Sequence, residues 1–224
     1  MDYGEYIAKA GLEIKAIKLN PKEPFQWASG FQMPIYNDNR MFLGFPKYRR
    51  LIVDGFKDII EKEKIIYEII AGTSTAGIPH ATSLANELGT PLIYIRDKPK
   101  EHGLKNQIEG IDAEYDLRGK RVILIEDLIS TGGSSVKAIQ AIRNAEGNCD
   151  YCLSIFNYGL EKAINEFDVL NPKCNVFSLL TYNKLLEVAK DTSYLNERQI
   201  ELLREWRNDP FKWGENHGFQ RVIK

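Results

Sequence analysis

The chain has 224 residues, of which 43% are hydrophobic and 27% are charged, and its formal net charge is -1 at pH 7. This length is sufficient for one α/β domain with a complete hydrophobic core, and the composition is ordinary for a soluble globular protein. Because the charges nearly cancel, no overall positive field attracts nucleic acid or an anionic membrane, and we expect neither partner. Any site for an anion must therefore be local.

The N-terminal sequence contains no basic segment followed by an apolar one, so a secretory signal is not predicted. No apolar run approaches the ~20 residues that a membrane-spanning helix needs. We therefore predict a cytoplasmic protein.

The first 40 residues differ from the rest of the chain. A short helical pattern is followed by strand-like pieces at 13–19, 25–28 and 31–36, and a helical pattern over 43–64 leads into the core. We expect these pieces to form a small N-terminal hood, over about 1–40, that covers the functional site.

From about residue 65 onward, short apolar runs alternate with helical patterns. This alternation predicts right-handed βαβ crossovers and an α/β fold with a central, mostly parallel sheet flanked by helices. Ligands of such sheets bind at the carboxyl ends of the strands. The predicted strands are 64–70, 91–95, 121–125, 151–156 and 175–180, with helices near 77–88 and after Gly133.

The last part of the sequence predicts two surface helices over 183–206, and we expect the tail from Asn208 onward to be loosely packed. We therefore predict a single domain over 1–224. The hood occupies about 1–40, the core about 64–182, and the C-terminal helices and tail 183–224.

Two of the three cysteines, Cys149 and Cys152, form a C-x-x-C pattern that can indicate zinc or a redox dithiol. They fall where a strand begins, and positions three apart on a strand point to opposite faces. The three histidines are scattered along the chain and form no ligand pair. We interpret the thiols, including Cys174, as reduced structural residues.

The most informative segment is the apolar run 121–125, which the adjacent carboxylates Glu126 and Asp127 and a turn of small residues follow. A strand that feeds a helix through such a turn leaves free N–H groups at the helix N-terminus, and these favour a phosphate. Carboxylates repel a phosphate, so we expect these two to bind hydroxyl groups next to the phosphate or a metal ion that the ligand carries. The segment predicts a ribose 5-phosphate site, although ordinary strand–turn–helix units also have glycine-rich turns.

The loop after strand 91–95 carries alternating cations, punctuated by Pro99 and Gly103, and its polar run continues to Asp116. A polar connection of this length inside a compact domain is typical of a lid. The alternative is a solvated surface loop, which is the usual reading of a charge run. Its place at the carboxyl end of a predicted strand favours a lid that closes over an anion and excludes water.

The segment 121–135 resembles the signature of the type I phosphoribosyltransferases, which bind phosphoribosyl pyrophosphate (PRPP). Other segments resemble the orotate phosphoribosyltransferase branch of that family. The predicted lid, together with residues 106–110, resembles the catalytic loop of that branch. Residues 25–30 and 34–40 resemble its substrate hood, and residues 72–79 resemble its pyrophosphate loop. The resemblance implies a type I phosphoribosyltransferase-like fold. It also implies transfer of ribose 5-phosphate from PRPP to orotate, giving orotidine 5′-monophosphate and pyrophosphate in de novo UMP (pyrimidine) biosynthesis.

The same resemblance implies the ligand contacts. Arg96, Lys100 and His102 would contact pyrophosphate from the neighbouring subunit of a homodimer that shares the 96–105 loop. Mg²⁺ would bind mainly through PRPP oxygens and water, with no direct protein ligand. Glu126 and Asp127 would hold the ribose hydroxyls and the 130–134 turn the 5-phosphate, with Ser130 also near orotate. The implied catalytic residues are Lys100, His102 and Asp127. The implied substrate-binding residues are Arg96, Lys98, Lys100, His102, Glu126, Asp127, Leu128, Ile129, Ser130, Thr131, Gly132, Gly133 and Ser134.

The chemistry of such a transfer needs these residue types. Displacement of pyrophosphate by a ring nitrogen passes through a cationic, oxocarbenium-like ribose, as in glycosyl transfer generally. Cations near the departing pyrophosphate stabilise the transition state more than the ground state, and acids beneath the ribose favour its positive charge. His102 could supply a proton or a hydrogen bond to the leaving group.

Two alternatives stay open: a transferase of this fold that acts on a purine, and a non-catalytic PRPP sensor or RNA-binding regulator. A net charge of -1 disfavours an RNA regulator, and a sensor has little use for a cationic lid. How the orotate carboxylate is held is also open. Positions where some relatives carry a cation hold Ala28, Gln32 and Tyr158–Gly159. Asp97 stands where many relatives carry a second Lys, which leaves one pyrophosphate contact open as well.

Overall fold

The computed structural model describes residues 1–97, 107–111 and 116–222. Its helices are α1 (Tyr3–Glu13), α2 (Pro46–Lys62), α3 (Gly77–Leu88), α4 (Gly133–Asn144), α5 (Glu161–Asp168), α6 (Tyr182–Asp191), α7 (Glu197–Asn208) and α8 (Trp213–Asn216). Its strands are β1 (Ile17–Leu19), β2 (Phe25–Gln26), β3 (Gln32–Met33), β4 (Ile35–Asn37), β5 (Ile69–Thr73), β6 (Leu92–Ile95), β7 (Ile108–Glu109), β8 (Arg121–Ile129), β9 (Asn148–Asn157) and β10 (Asn175–Thr181).

Six strands form the central sheet in the order β10-β9-β8-β5-β6-β7. All neighbours are parallel except β7, which pairs antiparallel with β6. The sheet is buried by helices on both faces, which is why β5 is buried along its whole length. The predicted α/β fold with a mostly parallel sheet is confirmed.

Two apolar clusters, one on each side of the sheet, form the core. Residues of α1, α2, α3, α6 and α7 contribute to one cluster, and residues of α4 and α5 to the other. Among the described residues, no helix combines the length and the apolar character that crossing a membrane requires.

The central elements lie close to their predicted positions, and the differences are at strand ends. The helix predicted near 77–88 is α3, which ends at Gly89 in the left-handed conformation (φ +62°) that glycine adopts without strain. The strand predicted at 121–125 continues to Ile129, because β9 pairs with β8 as far as Ile129. The strand predicted at 64–70 begins only at Ile69, since α2 runs to Lys62 and a turn follows it.

The N-terminal region combines core packing with a hood. Helix α1 packs on α6 and β10, so it belongs to the wall of the core. The antiparallel pairs β1–β4 and β2–β3 form the hood over the sheet edge. A 3₁₀ helix over Asn39–Gly44 then connects the hood to α2.

The expectation of a loosely packed tail is wrong for the described residues after Asn208. Trp213 is only 2% exposed, and its ring stacks on His217 and Phe219. Helix α8, with Trp213 at its start, packs on β3 of the hood. Helices α6 and α7 also contribute buried residues, among them Trp206, so they are less superficial than predicted.

The expectation that Cys149 and Cys152 point to opposite faces is wrong. Both belong to the same apolar cluster, together with Cys174. Strand β9 contains one more residue than β8 between the pairs Arg121–Asn148 and Ile123–Tyr151, and such a bulge changes the facing of the residues that follow. All three cysteines are free and buried, as predicted for structural thiols.

His80 makes the stability of the fold depend on pH. It is 2% exposed on α3, and its burial lowers its pKa from 6.5 to about 4. Because the unfolded chain binds this proton more readily, the stabilisation is complete above pH 6.5 and is lost as the pH falls towards 4. This pKa shift corresponds to a change of about 3 kcal/mol in the free energy of unfolding. In urea unfolding at pH 7 and pH 4.5, we expect His80→Gln to lose less stability on acidification than the wild type. Equal losses would contradict this prediction.

Candidate active site

The two adjacent carboxylates lie at the carboxyl end of β8, in the middle of the sheet. The apolar run that precedes them is buried, and it carries Glu126 into the interior, where that residue is 4% exposed. Asp127 is half-buried, and as the next residue on the strand it points to the opposite face of the sheet from Glu126. The pair therefore offers one interior and one accessible carboxylate.

Glu126 is held by a set of interior hydrogen bonds. The Thr73 hydroxyl donates to Oε1 at 2.6 Å, and the Ser135 hydroxyl donates to Oε2 at 3.0 Å. The Asp127 backbone N–H also donates to Oε1, at 3.1 Å. Thr73 reaches Glu126 because β5 and β8 are parallel neighbours in which Gly72 pairs with Ile125. Both oxygens of Glu126 are thus engaged, and Asp127 is the carboxylate that faces the open side of the site.

Burial raises the pKa of both carboxyl groups. The hydroxyls of Thr73 and Ser135 lower the pKa of Glu126, whereas the nearby charge of Asp127 raises it. Arg40, on the 3₁₀ helix, lowers the pKa of Asp127. The fold therefore places two acids side by side and offsets part of the cost with hydroxyl donors and one cation.

The turn after β8 leads directly into α4. Gly132 caps the helix with φ +82°, and a Cβ there would lie 3.2 Å from the Cα of Ala163, so glycine suits both the conformation and the close approach. Backbone N–H groups in the first turn of a helix lack intrahelical partners and attract anions. The residues predicted to bind the 5-phosphate, 130–134, all lie in this turn and the start of α4.

A narrow cleft continues from this turn towards the end of β6. It is lined by Thr73, Ser74, Arg96, Gln107, Ser134 and Lys137, among others. Arg96 donates to Glu109 at 3.3 Å. The structure therefore brings Arg96 to the same end of the sheet as the acid pair. Lys98, Lys100 and His102, also predicted for this site, lie outside the described residues.

A second cavity, of about 340 Å³, opens between the hood and the end of β8. Three aromatic side chains line it, Trp27, Tyr36 and Tyr158, and burial raises the pKa of Tyr158, which keeps its phenol neutral. The other lining residues are Ala28, Ser29, Asn37, Leu128 and Ser130. The predicted residues Leu128 and Ser130 thus face this cavity, whereas Ile129 is buried in the core.

Several residues of the site received no individual role from the sequence, although Thr73, Asn39 and Ser135 lie within segments that it singled out. Thr73 and Ser135 hold Glu126, Lys137 lines the cleft, and the Asn39 amide donates to the Asp127 carbonyl at 2.6 Å. Thr73 was recognisable in principle, because it ends the strand beside β8. The contact of Asn39 joins positions 88 apart in the sequence, which no local pattern reports.

Comparison with known proteins agrees with this geometry. Residues 46–177, more than half of the chain, match the phosphoribosyl transferase domain family, which defines the class of the protein. The orotate phosphoribosyltransferase of Staphylococcus saprophyticus is 45% identical over 203 residues, which cover 91% of this chain and 97% of that protein. That of Listeria monocytogenes is 43% identical over 215 residues, covering 96% and 100%. The chain belongs to the orotate phosphoribosyltransferase family.

A solved structure extends the comparison to the fold. The crystal structure of orotate phosphoribosyltransferase from Aeropyrum pernix superimposes with a TM-score of 0.70 at 24% sequence identity, covering 85% of this chain and 99% of that one. The type I phosphoribosyltransferase fold expected from the sequence is thereby confirmed.

Proposed function

We propose that this protein transfers the ribose 5-phosphate of PRPP to orotate and releases pyrophosphate, forming orotidine 5′-monophosphate in pyrimidine biosynthesis. The observation that carries the proposal is the position of Asp127. It lies on β8 next to Leu128, which lines the cavity with the aromatic rings, and the same strand leads into the turn before α4. With the phosphate assigned to that turn and the base to the cavity, the ribose falls at Asp127.

The ribose is assigned to Asp127. Its carboxylate is half-buried and accepts hydrogen bonds from hydroxyl groups of the sugar. The interior Glu126 accepts a hydrogen bond from the Asp127 backbone N–H and so holds this end of the strand. In the transfer, the bond from the anomeric carbon to the pyrophosphate oxygen breaks and a bond to the ring nitrogen of orotate forms. Positive charge develops on the ribose, and the adjacent carboxylates stabilise it.

The base is assigned to the cavity beneath the hood. A flat heteroaromatic ring suits the rings of Trp27, Tyr36 and Tyr158, and Asn37 and Ser130 offer hydrogen-bonding groups. None of the described residues that line this cavity is cationic. Arg40, near Tyr36, forms an ion pair with Asp38 at 2.7 and 2.9 Å, so this pair adds no net charge to the hood.

The pyrophosphate is assigned to the cleft near Arg96, with Lys98, Lys100 and His102 closing over it from the partner of a homodimer. Mg²⁺ neutralises charge on the pyrophosphate when bound. Because Mg²⁺ retains much of its water and binds substrate phosphates, it needs few protein ligands here. Both oxygens of Glu126 already accept hydrogen bonds, which fits binding through PRPP oxygens and water. The dimer, the metal and the cytoplasmic location are parts of the proposal.

A direct assay tests the proposed reaction. The protein is mixed with PRPP and Mg²⁺ and with orotate, adenine, guanine or hypoxanthine, and loss of the base is followed. We expect turnover of orotate and none of the purines. Turnover of a purine without orotate would assign the protein to the purine-specific alternative. Binding of PRPP without turnover of any base would favour the sensor.

The role assigned to the lid predicts the effect of Lys100→Ala. If Lys100 stabilises charge on the departing pyrophosphate, its loss lowers kcat on the order of 10²-fold, while the dissociation constant of PRPP changes much less. Steady-state kinetics and PRPP titration measure both quantities. Lys190→Ala, on α6, removes a cation from another surface and serves as control. A kcat equal to that of the wild type would refute the role of Lys100.

A further inference from the structure

The segment 209–222 contacts the hood at the turn that forms one wall of the base cavity. The Arg221 guanidinium donates through Nε and Nη2 to the Ser29 carbonyl, at 3.3 and 3.1 Å. The Val222 N–H donates to the Gly30 carbonyl at 3.0 Å. The segment therefore holds two consecutive carbonyls of this turn, which we call the hood turn (residues 27–31).

Aromatic contacts reinforce these hydrogen bonds. The Arg221 guanidinium lies over the Phe31 ring, 4.0 Å from its centroid, and Phe211 meets the same ring edge-on at 5.3 Å. The segment itself is anchored by Trp213, which is buried and stacked on Phe219. Arg221 is thus presented by a packed structure.

The hood turn needs external support. It joins β2 and β3, which have two residues each and form a sheet of their own. Isolated two-stranded hairpins are marginally stable in water at best. Within the turn, the Gly30 N–H donates to the Trp27 carbonyl and the Trp27 N–H donates to the Phe31 carbonyl. A Cβ on Gly30 would overlap the Val222 carbonyl oxygen. The contact is close enough to fix the position of the turn.

The hood turn also shapes the base cavity, since Trp27, Ala28 and Ser29 line it. We propose that Arg221 is a positioning residue for the base, which fixes the hood turn and thereby sets the affinity for orotate without contacting it. This inference rests on the proposed function. The cleft and the α4 turn assigned to PRPP lie on other elements, so PRPP binding is not expected to depend on Arg221.

Two variants test the proposal: Arg221→Gln, and a chain truncated after Phe219, which retains the anchor around Trp213. We expect KM for orotate to rise roughly tenfold in both, a loss comparable to that of a charged hydrogen bond, with KM for PRPP within about twofold of the wild type. Arg221→Lys, which retains a charge but not the planar pair of donors, is expected to fall between Arg221→Gln and the wild type. Arg204→Gln, on the exposed face of α7, is the control and should match the wild type.

Hydrogen exchange of the hood turn gives a readout that is independent of turnover. We expect faster exchange of residues 27–31 in both variants and unchanged exchange in the central sheet. If wild-type protein does not turn over orotate, the proposed function fails, and exchange still reports whether Arg221 holds the turn. Unchanged exchange and unchanged KM for orotate, or an equal rise in KM for both substrates, would overturn the role of Arg221.

Discussion

Replacement of Asp127 by asparagine is expected to lower kcat/KM for PRPP by on the order of 10²–10³-fold, the loss typical when one charge-stabilising group is removed from an active site. Asparagine has nearly the same shape, but it carries no negative charge beneath the developing ribose cation. The amide oxygen also accepts hydrogen bonds from hydroxyl groups less strongly than a carboxylate does. Because the interaction strengthens as charge develops, kcat is expected to fall more than PRPP affinity.

The measurement is steady-state kinetics over both substrates, combined with direct PRPP titration. Asp168→Asn, at the end of α5 and exposed, removes a carboxylate of the same kind away from the site and should leave both quantities unchanged. If Asp127→Asn raised only KM for PRPP and left kcat intact, Asp127 would be a binding group alone.

Replacement of Thr73 by valine is expected to lower kcat by roughly 10- to 100-fold, because it removes a 2.6 Å donor from a buried carboxylate and a hydrogen bond to a charged group contributes about 1.5–3 kcal/mol. Valine has a similar volume, so the packing of β5 is preserved. The pKa of Glu126, already raised by burial, rises further when this donor is lost. The acidic limb of the pH–rate profile is therefore expected to move to higher pH.

Thr73→Ser is the matched variant, since it keeps the hydroxyl and loses only a methyl group. It should restore most of the rate and the pH profile of the wild type. Other ionisable groups near Glu126 are Asp127 on the same strand and Cys152 on β9, and Lys137 on α4 lines the same cleft as Thr73. All three are unchanged in both variants. Equal activity of the valine and serine variants would show that the hydroxyl of Thr73 has no part in the reaction.

The sequence predicted the core of the fold well because its signals are local. Each central strand is an apolar run, and α3 and α4 carry a helical pattern with a glycine at a terminus, so pattern and structure agree there. The strand ends were less accurate. Glu126 and Asp127 read as the start of a turn, but pairing with β9 continues β8 to Ile129, and that pairing is a property of the sheet.

The features that the sequence did not reveal depend on distant contacts. The tail is predicted to be loosely packed because terminal segments usually are. Gly214 and Phe211 nevertheless meet the hood some 180 residues earlier, at Gln32 and Phe31. The site shows the same division. The acid pair and the glycine-containing turn that follows it lie within one short segment, whereas the partners of Glu126 come from β5 and α4.

The segments on either side of residues 98–106 are hydrogen-bonded to each other. The Arg96 backbone N–H donates to the Gln107 backbone carbonyl at 2.9 Å, and the Gln107 side-chain amide donates to the Arg96 backbone carbonyl at 3.0 Å. Two hydrogen bonds between Arg96 and Gln107 thus hold together the two ends of the chain that flank residues 98–106. We therefore expect that a chain in which residues 98–106 are replaced by those of a relative unfolds at nearly the parental temperature.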